Sequence, residues 1–110
     1  MIYDNIQYEF DTGWPSQILS TLFRRVSQYR LYSPHFKIGI TSNPEGRAYQ
    51  YDYESGMYNE MIIIYKTSSD SSVRTLEADL IEYYWDVCDN SIGGGGGGRG
   101  LPPYYLYIVR

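Results

Sequence analysis

Ile6, Tyr8 and Phe10 alternate with Gln7 and Glu9, the two-residue period of a strand with one solvated face. This predicts a short strand near a sheet edge. Beyond a break at 13–15, Ile18, Leu19, Leu22, Phe23 and Val26 recur at helical spacing, with Arg24, Arg25 and Arg30 on the polar side. An amphipathic helix over roughly 16–30 follows, with Ser16 as its expected N-cap. Ser33 and Pro34 end it, and Phe36, Ile38 and Ile40 then alternate through FKIGIT as a second strand.

The residues SNPE that follow have the chemistry of a helix start. Asn43 can cap, Pro44 suits the first helical position and Glu45 complements the positive end of the dipole. After Gly56, the β-branched run in EMIIIYKT (60–67) predicts a strand covered on both faces. Serines and Asp70 open a second long helix, whose buried stripe is Val73, Leu76, Leu80, Ile81 and Tyr84. A Gly-rich loop at 92–101 contains six consecutive glycines, which favour neither helix nor strand. Pro102 and Pro103 return the chain to extended geometry, and YYLYIVR closes it as a strand expected to rejoin the sheet.

A chain of 110 residues, 43% of them hydrophobic, is read as one domain, 1–110, of α+β class: a small three- to four-stranded mixed or antiparallel sheet flanked by helices. It has no apolar run long enough to span a bilayer, so no membrane partner is expected. The lone Cys88 and the acidic, aromatic N-terminal segment suit a reducing cytoplasm rather than a secretory route. A net charge of −4 argues against indiscriminate coating of nucleic acid but leaves room for a small cationic cleft. The 14 tyrosines can stack on bases or fill the half-wet faces of a small sheet. Assembly as a homodimer stays open.

Candidate chemistry centres on Glu77, which lies on the apolar stripe of its helix, with Val73 one turn before and Leu80, Ile81 and Tyr84 after. A carboxylate there needs compensation. Either it pairs with Arg47 or Arg74, or it ligates a divalent cation, since one carboxylate plus waters suffices for Mg2+. Arg47, near a helix N-terminus, can join a guanidinium fork to free backbone N–H groups to hold an oxyanion. Gly39 in mid-strand implies close approach by another group or a ligand, and Thr41 just beyond can cap the helix or touch that ligand.

Lys37-Ile38-Gly39-Ile40-Thr41, then Pro44, Arg47 and Tyr51, Glu77 within VRTLEADLIEYYWD, and Asn90 together resemble the second half of the GIY-YIG nuclease domain, especially its viral and phage branch reading KIGIT. The likeness covers roughly residues 35–91. It implies metal-assisted hydrolysis of nucleic acid phosphodiesters, DNA ahead of RNA, with Mg2+ or Mn2+ held by Glu77 and the scissile phosphate neutralised by Arg47. Tyr51 stands where family members carry a Tyr or His four residues past the Arg. Lys37 replaces the leading Tyr of the second motif, and Gly39, Thr41, Asn90 and Arg99 are the expected substrate contacts.

The Gly-Ile-Tyr strand expected about ten residues before KIGIT is missing. Its tyrosine could come from Tyr8, or from Tyr105 or Tyr107 if PYYLYIVR supplies the strand as in a circular permutation, antiparallel to FKIGIT. The leading expectation is therefore a GIY-YIG-like endonuclease. The alternative is a catalytically inactive relative that binds a nucleotide or a protein partner through the same cleft. The Gly-rich loop and Arg99 either close over a substrate strand or form an inert hinge.

Overall fold

The structure, a computed structural model, describes residues 1–90 and 100–110. A short 3-10 turn, Ile2–Asp4, precedes β1 (Ile6–Asp11), α1 (Pro15–Arg30), β2 (Lys37–Thr41), α2 (Pro44–Glu54), β3 (Met61–Thr67), α3 (Asp70–Tyr83) and β4 (Tyr104–Val109). The strands form one mixed sheet in the order β1-β3-β4-β2. β1 runs parallel to β3, whereas β4 is antiparallel to both of its neighbours, β3 and β2. The fold is thus the expected α+β class, and the C-terminal strand does lie antiparallel beside KIGIT.

Local chemistry explains the helix starts. Asn43 Oδ1 accepts from the Gly46 amide at 3.1 Å, with Pro44 at the first position of α2, and Ser69 Oγ accepts from the Ser72 amide at 3.2 Å to open α3. Thr41 Oγ1 accepts from the Asn43 amide at 3.0 Å, fixing the turn between β2 and α2. α1 departs from expectation: Trp14, not Ser16, holds the N-cap position, with no side-chain cap. Pro15, its φ already helical, starts the helix early and draws Ser16 inside.

Each sheet face has its own core. On one, Leu22 and Val26 of α1 and Val73, Leu76, Leu80 and Ile81 of α3 pack on Ile38, Ile40, Ile62, Ile64, Leu106 and Ile108. On the other, Ile2, Ala48 of α2 and Tyr58 pack on Met61, Ile63, Tyr107 and Val109. β3 is buried from Met61 to Tyr65 because both faces are covered, which accounts for its unbroken apolar run. β1 is an edge strand as expected, but its alternation does not give one covered face: Tyr8 and Phe10 are exposed along with Gln7 and Glu9, because α2 covers this side of the sheet mainly near the 3-10 turn. At the opposite edge the Asn90 amide bonds both backbone groups of Ile38, accepting from its N–H at 3.1 Å and donating to its carbonyl at 2.8 Å.

Candidate functional site

Gly39 of β2 sits opposite Tyr107 of β4 in the antiparallel ladder. A Cβ placed on Gly39 would lie 2.5 Å from Tyr107 Cζ, so only glycine lets the tyrosine ring lie across β2. The ring, fully buried, carries its hydroxyl to the inner face of α2. There Arg47 Nη1 donates to Tyr107 Oη at 3.0 Å, and the Tyr51 and Tyr107 hydroxyls are 2.8 Å apart. Arg47 and Tyr51 are one turn apart on α2 and so share a face. Tyr51 also stands edge-on to Tyr107 and Tyr58, and Lys37 Nζ is 5.6 Å from the Tyr51 ring centre.

The electrostatics of this cluster keep the phenols protonated. Burial pushes the Tyr51 pKa far up, aided by the neighbouring Tyr107 and only partly opposed by Arg47. Tyr107 is likewise raised by burial, against the lowering influence of Arg47 and the Tyr51 hydrogen bond, with the Glu77 charge adding to the rise. Burial alone would lower the Arg47 pKa, but Tyr107 and Tyr51 outweigh it and leave the guanidinium raised and charged. The cluster therefore offers a fixed positive charge beside the half-buried Tyr51 hydroxyl, with the buried Tyr107 hydroxyl holding both in place, a chemistry that can hold a phosphate oxygen.

Glu77 is only 4% exposed, on the buried stripe of α3 as its spacing predicts. It belongs to the helix layer on the sheet face opposite α2, yet its charge is felt at Tyr107. That charge is the smallest of these influences on the phenol, and the sheet separates the helix that carries Glu77 from the one that carries Arg47. Arg74, one alternative partner for Glu77, pairs with Asp70 one turn before it at 2.9 Å. Among the described residues no group of three or more His, Cys, Asp or Glu side chains forms a metal cage. Glu77 offers a single carboxylate, the minimum for a cation such as Mg2+ that keeps most of its waters, and its burial leaves little room for that hydration shell.

The other expected site residues divide sharply. Thr41 is buried, pairs with Tyr105 across β2 and β4, and holds the turn leading to Arg47. Tyr105 points to the same face as Tyr107, two residues along β4. Tyr8 lies in the same cross-strand row as Tyr107 and Gly39, but with β3 between it and β4, so Tyr107 and not Tyr8 takes the place beside KIGIT. Asn90 is placed at the outer edge of β2, with its amide engaged by Ile38. Arg99 and positions 92–99 of the Gly-rich loop lie outside the described residues.

Sequence reasoning missed a second polar group behind Tyr51. Tyr58 donates to Asp89 Oδ2 at 2.8 Å, and His35 Nδ1 approaches Asp89 Oδ1 at 3.4 Å. Burial, reinforced by that bond to Asp89, pushes the Tyr58 pKa well up. No periodicity links residues 35, 58 and 89, so only long-range packing could reveal them. Comparison with known proteins yields no matching family model, no related characterised sequence and no matching solved structure.

Proposed function

We propose that this chain acts on nucleic acid as a GIY-YIG-like, divalent-metal-dependent endonuclease. The observation that carries the reading is the meeting of Arg47, Tyr51 and Tyr107 over Gly39. Arg47 would neutralise the scissile phosphate and the charge that develops there, while the buried Tyr107 hydroxyl positions Arg47 and Tyr51. Lys37, beside Tyr51, adds positive charge near the entry of the nucleophile. Glu77 would hold Mg2+ or Mn2+, which when bound supplies Lewis-acid polarisation and a more acidic water. DNA is favoured over RNA.

The test is incubation of purified protein with single- and double-stranded DNA and RNA in Mg2+, Mn2+ or EDTA, beside Arg47→Ala and Glu77→Gln. Cleavage that needs the metal and is lost in both variants is the expected result. No cleavage under any condition would sink it.

One observation favours a second reading, a non-catalytic binder. Phenols pushed up in pKa are donors and not bases, which suits gripping an anion without cutting it. Metal-independent binding that needs Arg47, with no strand scission, would identify that case.

A further inference from the structure

Among the described residues, the α2-side face of the sheet is covered near the 3-10 turn and open toward the far ends of β1 and β3. Tyr8 and Phe10 of β1, exposed by 49% and 37%, lie on this open part. Lys66 of β3 pairs with Tyr105 of β4, which pairs in turn with Thr41 of β2. The Lys66 ammonium is held between two rings, 5.4 Å from the centre of Phe10 and 5.8 Å from that of Tyr105. Tyr8 meets Tyr105 edge-on at 6.5 Å. Three rings and one cation thus form a strip that adjoins the Arg47 and Tyr107 cluster in the next row of the sheet.

We propose that this strip is a stacking platform for the unpaired bases of a single-stranded nucleic acid whose backbone runs toward Arg47. It deepens the nucleic-acid reading of the same site and rests on that reading. Rings on an open sheet present flat faces that any base can cover, and a lysine among them can meet the phosphate between successive bases. Duplex bases are already stacked on each other, so only unpaired ones gain from the rings. Glu45 and Asp4 flank Tyr8 in the groove between β1 and α2. Their charge repels phosphate from that side and leaves the line from Lys66 to Arg47 as the backbone track.

The test is fluorescence anisotropy in EDTA at low ionic strength, comparing labelled oligothymidylate with an abasic sugar-phosphate chain of equal length. Tyr8→Leu, Phe10→Leu and Tyr105→Leu should each weaken oligothymidylate binding about fivefold or more and leave the abasic chain unaffected. Lys66→Ala should weaken both and reduce the slope of log affinity against log salt by roughly 0.7. Tyr53→Leu, at an exposed position on α2, should change nothing. Tyr8→Phe and Tyr105→Phe keep the ring and should bind as the unaltered protein does, which separates stacking from any loss of folding.

Equal losses on both oligonucleotides, no loss in any ring variant, or no binding of oligothymidylate by the unaltered protein would each overturn the platform. The endonuclease reading fails separately, in the Mg2+ cleavage assay, and that result leaves the anisotropy data standing.

Discussion

Gly39 and Tyr107 are matched across the β2–β4 ladder so that the phenol occupies the space a Cβ on the glycine would take. Gly39→Ala must therefore push the ring off β2, and the ring is held at its far end by Arg47 and Tyr51. A loss of about 1–3 kcal/mol is expected, the usual cost of overpacking a filled site. Urea denaturation of Gly39→Ala, Tyr107→Ala and the double variant checks it: the two effects should fall clearly short of additive, because both act on one contact. Full additivity would mean that the glycine serves some other purpose.

Removing only the hydroxyl, in Tyr107→Phe, leaves the ring packing in place and deprives both Arg47 and Tyr51 of a partner. A stability loss of about 1–3 kcal/mol is expected from the buried groups left unsatisfied. Under the proposed function, cleavage should fall by about 100-fold, as when groups that hold the phosphate lose the contact that positions them. Parallel melts and cleavage assays separate the two effects, and unchanged turnover would remove Tyr107 from the site.

The buried phenols set an alkaline limit on the fold. Tyr51, Tyr58 and Tyr107 have folded-state pKa values raised above the ordinary 10.0, so their contribution is complete below pH 10. It declines above that, because the unfolded chain releases phenolic protons that the folded one retains. Each such tyrosine should steepen the fall in stability by about 1.4 kcal/mol per pH unit. Thermal melts between neutral pH and pH 11 should show a steep drop above pH 10, shallower in Tyr51→Phe. A flat profile would contradict the burial of these hydroxyls.

Asn90 behaves structurally as a one-residue partner for the β2 edge, satisfying the Ile38 N–H and carbonyl together. Asn90→Ala should cost about 1–3 kcal/mol and speed hydrogen exchange at the Ile38 amide. Oligonucleotide affinity measured on the folded fraction should stay as it was. A selective loss of affinity without faster exchange would return Asn90 to the substrate contacts proposed from its resemblance.

Most elements were legible because their causes are local. The alternation at Ile6, Tyr8 and Phe10, the capping chemistry at Asn43 and Pro44 and the β-branched run at 62–64 each act within a few residues and survive as β1, α2 and β3. The start of α1 was misplaced for an equally local reason, since Pro15 outranks Ser16 as a helix initiator. Arg47 and Tyr51 were legible as one face of a helix, and Glu77 as an acid on a buried stripe. Lys66 was not, because a lysine at a strand end reads as solvated until Phe10 and Tyr105 are placed on either side of it.

Periodicity, caps and composition thus determined which segments are strands and helices, which helix faces are apolar and which residues are candidates for chemistry. They favoured Tyr105 or Tyr107 of the C-terminal strand over Tyr8 for the place beside KIGIT but did not choose the strand order. Only the tertiary structure set aside Tyr8, by inserting β4 between β3 and β2 in a register that places Tyr107 against Gly39 and Tyr105 against Thr41. Strand order and register depend on the packing of both sheet faces at once, and a shift of one residue would turn Tyr107 to the other face. No local pattern in a chain records that choice.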